Sequence, residues 1–140
     1  MTPLTDKSPA EVVPVRYDPA QHFEQVQSWY AHRNEVLTPD ALPRVGFIVP
    51  GKAAGFLYQT DSSVAWIEGL VASPSLSKAE RLGVVDAIVV AVCEESRKLG
   101  FKTLLGYTVL DVVVERAKRL GFGHVGGGFH LVALGLTPPT

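Results

Sequence analysis

Glu68 is the residue of this chain whose position most needs a chemical explanation. It stands inside the apolar run Ala65–Val71, AWIEGLV, and a carboxylate in such a strand must be solvated, paired or neutralised. Strand alternation puts it on one face with Trp66 and Leu70, an apolar setting of the kind that marks candidate acids and bases. After the exit Ala72-Ser73-Pro74 comes a second polar group, Ser77-Lys78-Ala79-Glu80-Arg81. Its S-x-x-E form is that of a capping box and places a helix start at Ser77. In open α/β sheets, ligands sit where a strand's carboxyl end leads into a helix N-terminus, so this strand–loop–helix is the expected ligand site. Tyr107 lies near the carboxyl end of the following strand and offers a phenol, although a strand tyrosine more often serves packing.

Other reactive residue types are present without the spacing that chemistry needs. His22, His32, His124 and His130 show no metal-ligand pattern, so no metal is expected. His22 and His32 flank the first helix and should face solvent. The triplet Gly126-Gly127-Gly128 precedes a strand, whereas a phosphate cradle opens a helix. No G-x-S-x-G elbow, Walker loop or dinucleotide fingerprint occurs. Cys93, the single cysteine, falls in an apolar helix between Val92 and Glu94 and reads as a buried structural thiol. One cysteine forms no intrachain disulfide and suits a reducing cytoplasm.

The elements that must position these residues follow from composition and periodicity. A chain of 140 residues, 46% hydrophobic and 19% charged, is expected to form one domain with a real core. A net charge of −1 points to neither nucleic acid nor an anionic membrane. The cluster Arg116, Lys118 and Arg119 reads as a solvated helix face. No signal peptide is evident, and no run of about 18 apolar residues suggests a span.

Residues 1–11 read as a loose tail, 12–136 as the domain and 137–140 as a second tail. Val12–Tyr17 reads as an edge strand containing Pro14, and Asp18-Pro19 as cap and first residue of a helix to about His32. Asn34–Arg44 is irregular, with a helical turn at Thr38-Pro39. Val45–Val49 and Ala53–Gln59 form a hairpin around Pro50-Gly51, and Ala65–Val71 follows. The long helix buries Leu82, Val85, Val89, Val92, Ser96 and Leu99 and stops at Gly100. Lys102–Thr108 is then a strand, Asp111 the N-cap of a short helix, and Phe122–Val125 and Phe129–Leu136 the last two strands. Arg97-Lys98-Leu99-Gly100-Phe101 and Lys118-Arg119-Leu120-Gly121-Phe122 read as two helix ends built alike.

This order resembles the GNAT superfamily, the Gcn5-related N-acetyltransferases, over about Val12 to Leu136. The hairpin, the strand Ala65–Val71 with its exit, and the ending Ala117-Lys118-Arg119-Leu120-Gly121-Phe122 carry the resemblance. LPRVGFIVPGKAAGFLYQTD and AWIEGLVASP are similar to small GNAT-like proteins encoded by bacteriophages, for which the host cytoplasm is the expected location.

The resemblance implies an α/β fold with a GNAT-type mixed, partly open sheet flanked by helices on both faces. It implies an N-acyltransferase that takes acetyl-CoA as co-substrate between its splayed fourth and fifth strands. Leu70, Val71 and Ala72 would pair with the pantetheine arm, and Ser77, Lys78 and Arg81 would face the pyrophosphate. Asp111 stands where many members have an asparagine-like residue. Glu68 would be the base, directly or through water. Tyr107 would stand in for the usual acid tyrosine, whose position is Ala117. The acceptor would be an amine of a small molecule or a protein lysine, and homodimers are frequent in the family.

The segment Ser73–Gly83, SPSLSKAERLG, has no glycine before the helix, unlike the family's Arg/Gln-x-x-Gly-x-Gly/Ala. With Ala117, that departure supports a second expectation, a catalytically inactive GNAT-like protein that binds and modulates another protein, a host protein if the phage-like resemblance holds. Its binding surface would be the first helix or Asn34–Arg44.

Overall fold

The structure, a computed structural model, describes residues 12–108, 110–128 and 130–136. They fall into two compact units, one ending at Tyr107 and the other beginning at Thr108. In the first, five strands lie side by side in chain order: β1 (Val15–Arg16), β2 (Gly46–Val49), β3 (Ala53–Tyr58), β4 (Val64–Ala72) and β5 (Thr103–Leu105). The first three pairings are antiparallel and β4 with β5 is parallel, a mixed open sheet. Helix α1 (Pro19–Ala31) follows β1, and helix α2 (Lys78–Lys98) joins β4 to β5. A short 3₁₀ turn spans Pro39–Ala41.

Local chemistry sets the helix ends. The Ala20 amide donates to Asp18 Oδ1 at 3.1 Å, and the Asp18 amide donates to His22 Nδ1 at 2.9 Å. His22 is therefore partly buried and engaged with the cap, not turned to solvent as expected. At α2 the Glu80 amide donates to Ser77 Oγ at 3.1 Å. The Glu80 carboxylate does not complete the box: it pairs with Lys52 Nζ at 2.9 Å, because the β2–β3 turn lies beside the helix start. Both basic-basic-Leu-Gly-Phe segments close as expected. Gly100 and Gly121 take φ of +91° and +101°, and the Phe101 and Phe122 amides donate to Ser96 and Ala117 carbonyls at 3.1 and 2.9 Å.

The sheet is covered on both faces. On one, Val26, Trp29 and Tyr30 of α1 pack with Tyr17, Leu42, Ile48, Ala54, Phe56 and Val71. On the other, α2 buries Val84, Val85, Ile88, Val89, Val92, Glu95 and Ser96. The buried face of α2 is thus rotated from the expected one, and Leu82 and Leu99 are exposed. The rotation is possible because both polar members are satisfied. Arg16 reaches Glu95 at 2.7 Å, and Ser96 Oγ donates to the Val92 carbonyl at 2.7 Å. Cys93 is half-buried beside that face.

The register of β3 on β4 contains the feature that shapes the site. Ala54 lies opposite Val71 and Phe56 opposite Glu68, so two steps on β3 match three on β4. The extra residue is accommodated at Gly69, whose φ is +75°, a β-bulge. It places Glu68 and Val71 on the α1 face together. Leu70 goes to the α2 face, where its side chain lies beside Ile88 over Gly55. The expected grouping of Glu68 with Leu70 is therefore corrected, since strict alternation stops at the bulge.

Three further expectations change. β5 is shorter than Lys102–Thr108, and in the second unit helix α3 (Asp111–Arg119) has Leu110 as N-cap. Asp111 is the first helical residue, favourable next to the positive helix end, and not the cap. Among the described residues of 122–136 there is no strand, and Val125, Leu131, Val132, Leu134 and Leu136 are exposed. Apolar alternation yields a strand only where an edge supplies hydrogen bonds; Phe129 lies outside the described residues. No described helix is long and apolar enough to cross a membrane.

Candidate active site

β4 outruns its parallel neighbour. Pairing with β5 runs from Val64↔Thr103 to Trp66↔Leu105, whereas β4 continues to Ala72. Beyond Trp66 the β5-side edge of β4 has no further ladder among the described residues, which opens a cleft between the strands. Gly106 sits at the parting point. A Cβ there would lie 3.1 Å from Ile67 Cγ2, so glycine lets the departing chain stay against β4 for one more residue. That close passage delivers Tyr107 to the face that carries Glu68.

Tyr58, Trp66, Glu68 and Tyr107 line a shallow, solvent-open depression of about 290 Å³ at this point. Tyr107 donates to Glu68 Oε2 over 3.4 Å. The Trp66 and Tyr107 rings meet edge to face, with centroids 5.6 Å apart and planes at 81°. Tyr58 is the cross-strand partner of Trp66. Glu68 is exposed to the cavity and not enclosed by apolar side chains. Desolvation, and after it the Glu68 carboxylate, push the Tyr58 and Tyr107 phenols above their ordinary values. Both therefore stay protonated at neutral pH.

The bulge is anchored from the opposite helix. Tyr30 donates its hydroxyl to the Gly69 carbonyl, and burial pushes the Tyr30 phenol well up. Beyond Ala72, the Ser73 amide donates to the Lys52 carbonyl at 2.7 Å, and Ser73 Oγ lies 2.9 Å from Ser75 Oγ. The loop into α2 is thus a serine turn with its own hydrogen bonds. Arg81 folds back so that Nη2 donates to the Leu76 carbonyl at 3.2 Å. Lys78 is exposed at the first helical position.

Among the residues singled out from sequence, Glu68 and Tyr107 are brought together. Leu70, Val71 and Ala72 lie on the stretch of β4 that has no β5 partner, and Ser77, Lys78 and Arg81 on the helix start it leads to. Asp111 belongs to the second unit and is described there alone. Tyr58, Gly106, Lys52 and Tyr30 were not singled out as site residues. The signal for Tyr58 was the hairpin itself, since a register on β4 would have put it opposite Trp66.

The first unit's plan is shared with acetyltransferases of known structure. An acetyltransferase of Trypanosoma brucei superimposes with a TM-score of 0.63 at 18% identity, over 86% of this chain and 98% of that one. A protein of Agrobacterium tumefaciens, provisionally assigned as an acetyltransferase, gives 0.67 at 15% identity, over 87% and 100%. No protein-family model matches the sequence, and no curated protein matches it. The likeness establishes the fold, a mixed, open α/β sheet shared with these structures.

Proposed function

We propose that this chain is an N-acyltransferase that uses an acyl-CoA, acetyl-CoA in the first instance, to acylate an amine. The observation that carries the reading is the Glu68–Tyr107 pair in a cavity at the point where β4 and β5 part. The backbone of β4 beyond Trp66 fits an acyl-CoA arm, because on the β5 side it has amide donors and acceptors outside any ladder, the Gly69 carbonyl excepted, which Tyr30 holds. The helix start fits less closely. Its loop has no glycine to let the backbone approach a phosphate, and cations must serve instead: Lys78, with Arg81 if it leaves the Leu76 carbonyl.

When bound, an acyl-CoA supplies an activated carbonyl and a thiolate leaving group. The chain's own groups handle the protons. Glu68 accepts one from the incoming ammonium, directly or through water, leaving a nucleophilic amine. Protonated Glu68 no longer repels a negative charge on Tyr107, so one of the causes that raise that phenol is removed. Tyr107 becomes a better donor at the moment the thiolate needs a proton. The amine's second proton leaves to solvent, the products are an amide and a thiol, and Glu68 returns its proton to the Tyr107 phenolate across their hydrogen bond, which resets both groups.

Titration calorimetry with acetyl-CoA, with CoA and a non-thiol nucleotide as controls, tests the first requirement. Thiol release with a panel of amines tests the second. Saturable binding near unit stoichiometry is expected, with Glu68→Gln lowering turnover by about a hundredfold or more and leaving acetyl-CoA binding intact. No heat at millimolar acetyl-CoA would refute the reading. It would favour the protein-binding alternative, which the self-satisfied serine turn supports.

A further inference from the structure

Resting on that reading, we infer that the acceptor is an aliphatic amine presented as a cation, with no carboxylate near its nitrogen. It would be recognised by an aromatic corner built from Tyr58, Trp66 and Tyr107 around Glu68. Trp66 and Tyr107 stand at 81° to one another. Two rings at right angles form the corner of a box, the edge of one against the face of the other, and both border the same cavity. Tyr58 extends the wall from the neighbouring strand, opposite Trp66. Ring faces carry negative quadrupole charge and attract ammonium ions, tryptophan most strongly.

Glu68 supplies a formal charge of the same sign. Its described side-chain hydrogen bond is the long one from Tyr107, and its carboxylate also acts on the Tyr58 phenol. Every cavity-lining residue is aromatic or acidic. A pocket of that makeup, a carboxylate set among aromatic rings, is complementary to a cation. The raised phenols keep the walls uncharged.

The same electrostatics reject other amine classes. An α-amino acid would bring its own carboxylate close to Glu68, and like charges there repel. A neutral alcohol of equal size would gain the apolar contacts but no charge interaction. The cavity of about 290 Å³ admits a short alkyl chain, as of a small amine or the end of a lysine side chain.

The test uses the full chain and needs no acyl donor. Butylammonium, 1-butanol and norvaline are titrated while indole fluorescence is followed, and calorimetry measures each affinity. Butylammonium should bind at least about tenfold more tightly than either of the others. Glu68→Gln and Trp66→Leu should each weaken butylammonium binding by about tenfold, while Trp66→Phe, which keeps a ring, retains most of it. Should Trp66→Leu not fold, the three-ligand comparison on the natural chain still decides. Butylammonium binding no better than 1-butanol would overturn the inference, as would norvaline binding equally well. The two readings fail separately. Ammonium-selective binding without acetyl-CoA binding sinks the transferase reading alone, whereas turnover without preference for cationic amines sinks this one alone.

Discussion

The substitution Gly69→Ala tests the piece of backbone on which the site depends. Gly69 has φ of +75°, and a residue with a Cβ in that region costs about 1–2 kcal/mol. The new methyl would lie 2.9 Å from Tyr30 Oη and 3.0 Å from Phe56 Cδ2. Phe56 is fully buried and has no free volume to retreat into, so overpacking adds about 1–3 kcal/mol. The two together predict a loss of about 3 kcal/mol, read as a fall in urea midpoint of about 1–3 M.

A second substitution isolates the mechanism. Tyr30→Phe alone removes the hydroxyl that holds the Gly69 carbonyl and should cost about 1 kcal/mol. In that background Gly69→Ala meets one fewer atom, so the double variant should be more stable than additivity predicts by about 0.5–2 kcal/mol. A loss below about 1 kcal/mol for Gly69→Ala, or strict additivity, would refute the claim that this bulge is pinned between Tyr30 and Phe56.

Two predictions concern titration. All four tyrosines are raised, Tyr17, Tyr30, Tyr58 and Tyr107, each with desolvation as the first cause, so absorbance at alkaline pH should show a midpoint above about 10. Glu68→Gln should lower the Tyr58 and Tyr107 components and leave the other two in place. Because the folded chain holds these protons longer than the unfolded one, stability should be flat with respect to the phenols below about pH 10 and fall above it; a rise there would contradict the assignment. For Cys93, burial raises the thiol and Arg97 only partly offsets it. A thiol-specific disulfide reagent at about pH 8 should therefore react several-fold more slowly with the folded chain than with the chain in urea, and equal rates would refute the placement.

What could be read in the sequence was what residues within a few positions of one another decide. Ser77 caps the amide three residues on, Asp18 caps the one two residues on, and Gly100 and Gly121 end their helices. Each is a local hydrogen bond or a local φ that no distant residue had to supply. The strand that carries Glu68, the hairpin around Pro50-Gly51 and the long helix were legible for the same reason, as was the α/β class. The tertiary structure decided how those pieces face one another. A bulge at Gly69 exists only in register with β3, and it separated Leu70 from Glu68. The burial of Glu95 depended on Arg16 arriving from β1, and the Glu80 carboxylate turned to Lys52 because a different turn lay beside it. Tyr58 joined Trp66 through strand pairing, and Tyr107 reached Glu68 through the passage at Gly106 against Ile67. Sequence periodicity assigns a side chain to a face of its own element. Which partner waits on that face is set by contacts between residues far apart in the chain, and the candidate site is made of such contacts.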